Sequence, residues 1–375
     1  MRRTRKRFRG NVLMMPQSRP LLEASMGSVV QIVLVFLAIT GAAHARDLSQ
    51  LGPLRASAGQ AVSGHLEVPA LSDVGARIPV SLVRGANDGP VLALIAGTHG
   101  YEYPGISALQ RLRQSIDPRA LRGTLILVHI ANPPSFYGRT IYTSPADGKN
   151  LNRVFPGRPD GTLSERIAHE ITTHVIANAD FLVDLHAGDG NEALRPYVYM
   201  PVTGDARLDA ASRGMALAFG LDHIVIDAAR IVSPEATKYV DQTALARGVP
   251  AITTETGQLG QNDEHSIALA ERGIQNLMRH LGMLEGTAEP NSGVVWLEDY
   301  QVITSPVTGV FRATVRDGYA VAEGGLLGEL YDAFGARIGD VRAPFAGIVN
   351  YVIGTPPAVE GQPLAMVSRI AAAPQ

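Results

Sequence analysis

The 375-residue chain contains no cysteine. That one absence excludes a disulfide framework, a thiolate metal site and a cysteine nucleophile. A metal, if held, must then sit on histidine, aspartate or glutamate. Lysine is almost missing too: Lys6, Lys149 and Lys238 are the only three. Long hydrophobic runs are also scarce. The apolar run from Val29 to Ala43 covers 15 residues, short of the ~20 that cross a bilayer as a helix.

What is present begins with an unusual N-terminus. Basic residues crowd Arg2, Arg3, Arg5, Lys6, Arg7 and Arg9, the apolar run follows, and it ends in Ala43-His44-Ala45, a small-x-small pattern that a signal peptidase cuts. Residues 1–45 are therefore read as a signal peptide, and the expected localisation is periplasmic or secreted. An uncleaved anchor, which would hold the protein at a membrane, is the alternative, and Met14, Met15 and Met26 are alternative starts. Without residues 1–45 the chain keeps 26 basic and 34 acidic side chains, a formal charge of −8 instead of −2. So acidic a protein is not expected to bind nucleic acid. Hydrophobic residues at 46% and charged residues at 18% are the balance of a folded globular protein.

A length of 375 residues exceeds what one core normally fills, about 250 to 300 residues, so two domains are expected. After a lead-in at 46–74, residues 75–288 alternate short apolar runs with helical periodicity. Strands are predicted at 78–83, 91–96, 124–130, 181–185, 197–200, 223–226 and 251–254. Helices are predicted at 106–116, 163–177, 208–219 and 266–281. Buried strands alternating with amphipathic helices give an α/β fold, a sheet covered on both faces. From about Asn291, across 289–375, short strands separated by Gly and Pro replace that pattern and predict a small all-β domain. Ser305-Pro306-Val307-Thr308-Gly309-Val310 and Ala343-Pro344-Phe345-Ala346-Gly347-Ile348 repeat one another. The repeat is similar to the two-fold repeat of barrel-sandwich carrier domains. Those carriers modify a lysine, and this segment has none.

The chemistry sits at strand ends. Gly97-Thr98-His99-Gly100-Tyr101-Glu102 follows the strand ending at Ala96, and such a turn can aim an imidazole and a carboxylate at one point. Val183-Asp184-Leu185-His186 ends a second strand; the period of two puts Asp184 and His186 on one side, with Asp184 able to orient a ligand. Each alone also reads as an ordinary strand end. Together, His99, Glu102 and His186 make a His₂Glu set with one open position, which a hydrolase requires. Glu255, closing Ala251-Ile252-Thr253-Thr254-Glu255, suits a general base for metal-activated water, or else a solvated strand end. The polar loop from Arg139 to Gly157 supplies Asn152 and Arg153 for a substrate carboxylate, while Arg139 suits an oxyanion. Both arginines also read as partners of surface acids. His169-Glu170-Ile171-Thr172-Thr173-His174 is a decoy: histidines five apart on a helix lie roughly 140° around its axis and cannot share one metal.

Gly-x-His-Gly-x-Glu, Asn-Leu-Asn-Arg-x-Phe-Pro-Gly, Asp-Leu-His-x-Gly and Thr-Glu-x-Gly, in that order, resemble the succinylglutamate desuccinylase/aspartoacylase family of the zinc carboxypeptidase superfamily. The resemblance runs from about residue 75 to the C-terminus. It implies a zinc-carboxypeptidase-like mixed sheet flanked by helices, with a small barrel-sandwich-like β domain behind it. It implies one Zn²⁺ per chain on His99, Glu102 and His186, and Glu255 as catalytic carboxylate. Arg139, Asn152 and Arg153 would contact the substrate, a small N-acyl amino acid. Where many relatives carry an aspartate to hydrogen-bond the first zinc histidine, this chain has Asn150, which accepts the bond without adding charge. The expected activity is amide hydrolysis. An exported peptidase acting on peptides or cell-wall fragments is the second reading, and a non-catalytic exported binding protein the third.

Overall fold

The structure is a computed structural model that describes residues 48–228 and 233–374. The signal-peptide reading, at residues 1–45, lies outside the described residues. No described helix is long and apolar enough to cross a membrane.

A short hairpin, β1 (Gln50–Leu51) and β2 (Leu54–Arg55), comes first. The strands β3 (Gln60–Val68), β4 (Ala76–Arg84), β5 (Asn87–Ala96), β6 (Arg122–Val128), β7 (Phe181–His186), β8 (Glu192–Leu194), β9 (Tyr197–Pro201), β10 (His223–Asp227) and β11 (Ala251–Glu255) follow. Between them lie the helices α1 (Tyr103–Ser115), α2 (Pro133–Gly138), α3 (Leu163–His174), α4 (Ala206–Phe219) and α5 (Val240–Leu245), with α6 (Glu264–His280) after β11. The C-terminal region adds β12 (Val295–Thr304), β13 (Gly309–Ala313), β14 (Ala320–Val321), β15 (Leu326–Tyr331), β16 (Arg337–Arg342), β17 (Gly347–Ile353), β18 (Pro357–Ala358) and β19 (Pro363–Ala371).

The centre of the main sheet runs β9-β11-β7-β5-β6-β4-β3. The strands β11, β7, β5 and β6 are parallel to one another, whereas β9 runs against β11, β4 against β6 and β3 against β4, so the sheet is mixed. The apolar strand β5 shows why both faces need cover. Its residues Val91, Ala93 and Ile95 enter one core with Ile167 and Ile171 of α3 and Ala244 of α5. Leu92, Leu94 and Ala96 enter the opposite core with Leu109 of α1, Phe219 of α4 and Ile274 of α6. Successive side chains point to opposite faces, so an uninterrupted apolar run is buried only when helices pack on both sides. The two long helices on that second face start cleanly: Asp205 and Asp263 cap the free N–H groups of α4 and α6.

The sheet does not stop at the end of the α/β segment. Strand β12 pairs in parallel with β10, then antiparallel with β19, and β17, β8 and β14 complete thirteen strands among the described residues. A separate sheet of β16, β15, β13 and β18 forms the other layer of the C-terminal sandwich. The sequence repeat has a structural counterpart. β13 of the first copy pairs with β18 of the second, and β17 of the second pairs with β14 of the first. Each copy thus completes its partner's sheet.

Candidate metal centre

Three adjacent parallel strands, β11, β7 and β5, bring their C-terminal ends to one edge of the sheet, the place where open α/β sheets form sites. Chain beyond β5 turns at Gly97, whose φ of 71° and approach to Ile130 leave no room for a side chain. One residue after His99, a Cβ on Gly100 would lie 2.4 Å from the carbonyl oxygens of both Ser135 and Thr140. Only glycine lets the loop press that close. Glu102 then stands at the start of α1 without a side-chain capping bond, with Pro104 in the first turn. His186 ends β7, and Glu255 sits opposite it in register on β11.

The structure brings His99, Glu102 and His186 together: their ligand atoms all lie within 4.8 Å of one another. His99 Nδ1 is 2.6 Å from Glu102 Oε1, and His186 Nδ1 is 2.7 Å from Glu102 Oε2. All three side chains are buried. The far nitrogens are tied as well. His99 Nε2 lies 3.1 Å from Asn150 Oδ1, and His186 Nε2 lies 2.8 Å from Asp184 Oδ2. Both partners are acceptors, so each Nε2 carries a hydrogen, and each Nδ1 faces Glu102 and would offer its lone pair to a cation held there.

Two imidazole lone pairs facing one carboxylate is the donor set of a cation site. One further observation fits that reading: Glu102 Oε2 is a buried oxygen that faces His186 Nδ1 and, among the described residues, has no aligned hydrogen-bond donor. Protons are the other way to compensate the cluster. Burial opposes charge on His99, but Glu102 outweighs it and holds the imidazole above its ordinary pKa. His186 is raised further against its burial by Asp184 and Glu102. Burial also works against the Glu102 carboxylate, yet the two imidazoles keep its pKa low.

Asp184 is fully buried and accepts from Asn152 Nδ2 and Thr98 Oγ1 besides His186. Asn150 is fixed by its own loop, its side-chain oxygen accepting from the Asn152 N–H at 2.9 Å. Asn152 is buried, and its Oδ1 accepts from the Val240 N–H at the start of α5. Arg153 stacks over the Tyr239 ring at 4.7 Å and donates to the Asn152 carbonyl. Arg139 is exposed, in a left-handed conformation that ends α2. Glu255 has one buried oxygen without a partner, and burial followed by the Glu102 charge pushes its pKa well up.

Sequence reasoning missed a second layer. Tyr142 presents its ring edge-on to His99, with centroids 6.1 Å apart, and its hydroxyl lies 2.8 Å from Glu192 Oε1. Asp189 is fully buried and accepts from the backbone of Tyr142 and Gly190. Burial and the Glu102 charge push it up to about 6, and burial raises Glu192 to about 7. Nothing around Tyr142 distinguishes it in sequence from other loop tyrosines. Asp189, three residues beyond His186, was the readable signal. On α3 the decoy's His174 Nε2 lies 3.2 Å from Glu170 Oε2.

Comparisons with known proteins show the family. Residues 88–281 match the family model described as the succinylglutamate desuccinylase/aspartoacylase catalytic domain. The chain is 33% identical over 278 residues to N-alpha-acetyl-L-2,4-diaminobutyric acid deacetylase of Halomonas elongata, covering 72% of this chain and 79% of that protein. Among solved structures, the product-bound ectoine utilization protein EutE (DoeB) of Ruegeria pomeroyi is 28% identical with a TM-score of 0.77, covering 84% of this chain and 98% of that one. A succinylglutamate desuccinylase/aspartoacylase of Rhodobacter sphaeroides is 27% identical with a TM-score of 0.74, covering 83% and 96%.

Proposed function

This chain belongs to the succinylglutamate desuccinylase/aspartoacylase family, and from that premise we propose that it is a zinc-dependent deacylase of a small N-acyl amino acid. The observation that carries the reading is the pair of imidazole Nδ1 atoms facing Glu102, each ring fixed by an acceptor behind it. His99, Glu102 and His186 would hold one Zn²⁺, and a cation there supplies Lewis acidity toward the scissile carbonyl and toward water.

The chain's own residues do the rest. Glu255 takes a proton from the attacking water on its unpartnered oxygen and delivers it to the leaving nitrogen, so amide and water become carboxylate and amine. Arg139 donates to the oxygen on which negative charge develops. Arg153, stiffened by Tyr239 and set beside Asn152, grips the substrate carboxylate. Asn150 and Asp184 keep the two imidazoles in the required tautomer. The C-terminal region supports a small substrate over a peptide. Its strand β17 pairs with β8, in the segment that follows His186, and so packs beside the chain that leaves the candidate centre.

The relative from Halomonas elongata is named for an N-acetylated diamino acid, and N-acetyl-2,4-diaminobutyrate therefore heads the panel of substrates to test. Hydrolysis of N-acyl amino acids is expected with added zinc and is abolished by chelator. Turnover in Glu255→Gln should fall roughly 10²- to 10⁴-fold with substrate still bound. Activity on short peptides but on no acyl amino acid would replace this reading with the peptidase one. We also propose export, with residues 1–45 removed; the N-terminal sequence of protein recovered from the cell envelope and medium tests it.

A further inference from the structure

Beside the metal cluster lies a cavity of about 240 Å³. Hydrocarbon from Ile353, Ala358, Val359 and Leu364 lines it, together with the Tyr142 ring. Of its polar members, Asn191 is engaged with the Tyr142 hydroxyl at 3.0 Å, and Gln362 is exposed. Its volume is many times what one water needs and below that of a pocket for a drug-sized ligand. It is the size of a short hydrocarbon chain, too small for a peptide.

The cavity adjoins the site across one residue. Tyr142 forms its wall and stands edge-on to the His99 ring. Tyr142 is also held tightly, with a φ of 58° that an aromatic residue rarely adopts, its N–H given to Asp189 and its hydroxyl beside Glu192. The carboxylate grip lies on the other side of the cluster: Asn152 touches His186, and Arg153 follows it onto Tyr239. An amide laid across the three ligands with its carboxylate toward Arg153 would direct its acyl group past His99, toward Tyr142 and the cavity.

We infer that this cavity is the acyl-chain subsite, and that the preferred substrates carry a straight apolar acyl group longer than acetyl. The inference rests on the deacylase reading and deepens it. A hydrocarbon-lined recess gains by burying each added methylene and gives nothing to a charged acyl end such as succinyl, which would lose its hydration there. The C-terminal repeat then sets acyl specificity, since Ala358 and Val359 belong to its second copy and close the recess.

The test is kcat/KM for N-acetyl, N-butyryl, N-hexanoyl and N-succinyl forms of one amino acid, the one the panel above selects. It is measured with zinc on the whole chain and on Val359→Trp, whose half-exposed position admits the larger ring without disturbing a core. The expected result is a rise of roughly tenfold or more from acetyl to hexanoyl, with succinyl below butyryl, and loss of that rise in Val359→Trp. Leu364→Ala, which widens the recess, should move the optimum to a longer chain. A flat or falling series, or a hexanoyl preference untouched in a folded Val359→Trp, overturns the subsite and leaves the deacylase reading standing. No hydrolysis of any member overturns both.

Discussion

Asp184 and Asn150 do the same work on the two histidines with different charge. Each accepts from an Nε2 hydrogen and so leaves Nδ1 free, but Asp184 brings a full negative charge and Asn150 only an amide dipole. Partners of this kind typically change metal affinity or activity 10- to 100-fold when altered. Zinc affinity, read by competition with a chelating dye, should therefore fall by about one to two orders of magnitude in Asp184→Asn and rise in Asn150→Asp. Weaker binding in Asn150→Asp would mean that the cluster already carries its optimal charge. Much of this residue-scale site was legible in the sequence, because two strand-end histidines and a glutamate three residues after the first are local patterns. Asn152 reads differently in three dimensions. Its amide ties Asp184 to the start of α5, which sequence spacing cannot reveal because Val240 lies 88 positions away.

At the scale of elements, the period-two and period-3.6 patterns located the strands and helices with a buried apolar run or stripe, such as Val91 to Ala96 in β5 and Ile267, Ile274 and Leu277 in α6. The pattern missed β3, whose mixture of exposed and half-buried residues gives an edge strand no apolar signature. It also missed β8, three residues long, which depends on a partner strand about 160 positions later in the chain. Helix packing shows a further constraint. In α6, Gly273 lies under the ring of Phe219 from α4, and a Cβ there would sit 2.3 Å from the ring. Alanine would improve helix propensity by about 1 kcal/mol. Overpacking against a buried aromatic costs typically 1–3 kcal/mol. Gly273→Ala is expected to lose stability on balance, as a lower midpoint in urea with an unchanged slope. A raised midpoint would show that Phe219 moves aside freely.

For the whole molecule, the continuous sheet joins two textures that the sequence presents as separate. The change near Asn291 is real in composition, yet β12 enters the same sheet beside β10. Sequence alone could not show this, since a parallel pairing 72 residues apart leaves no local trace. Stability of this assembly has a titrating contribution remote from the metal cluster. His129 bonds Ser81 Oγ at 2.8 Å, and burial, then the Arg113 charge, lower its pKa from 6.5 to about 4. The folded state thus resists protonation that the unfolded chain accepts. The contribution is complete above pH 6.5 and is lost as pH falls toward 4, by up to about 3 kcal/mol. His129→Gln should flatten the fall in urea stability between pH 7 and pH 4.5; an equally steep fall would assign it to other groups.

Metal content reports directly on whether one cation is held by His99, Glu102 and His186. Elemental analysis after dialysis against trace zinc should give one zinc per chain for the native protein and none for folded His186→Ala, with hydrolysis of acyl amino acids lost in parallel. A protein stripped of all metal that still hydrolyses them at the native rate, or a His186→Ala variant that keeps its zinc, would contradict that placement.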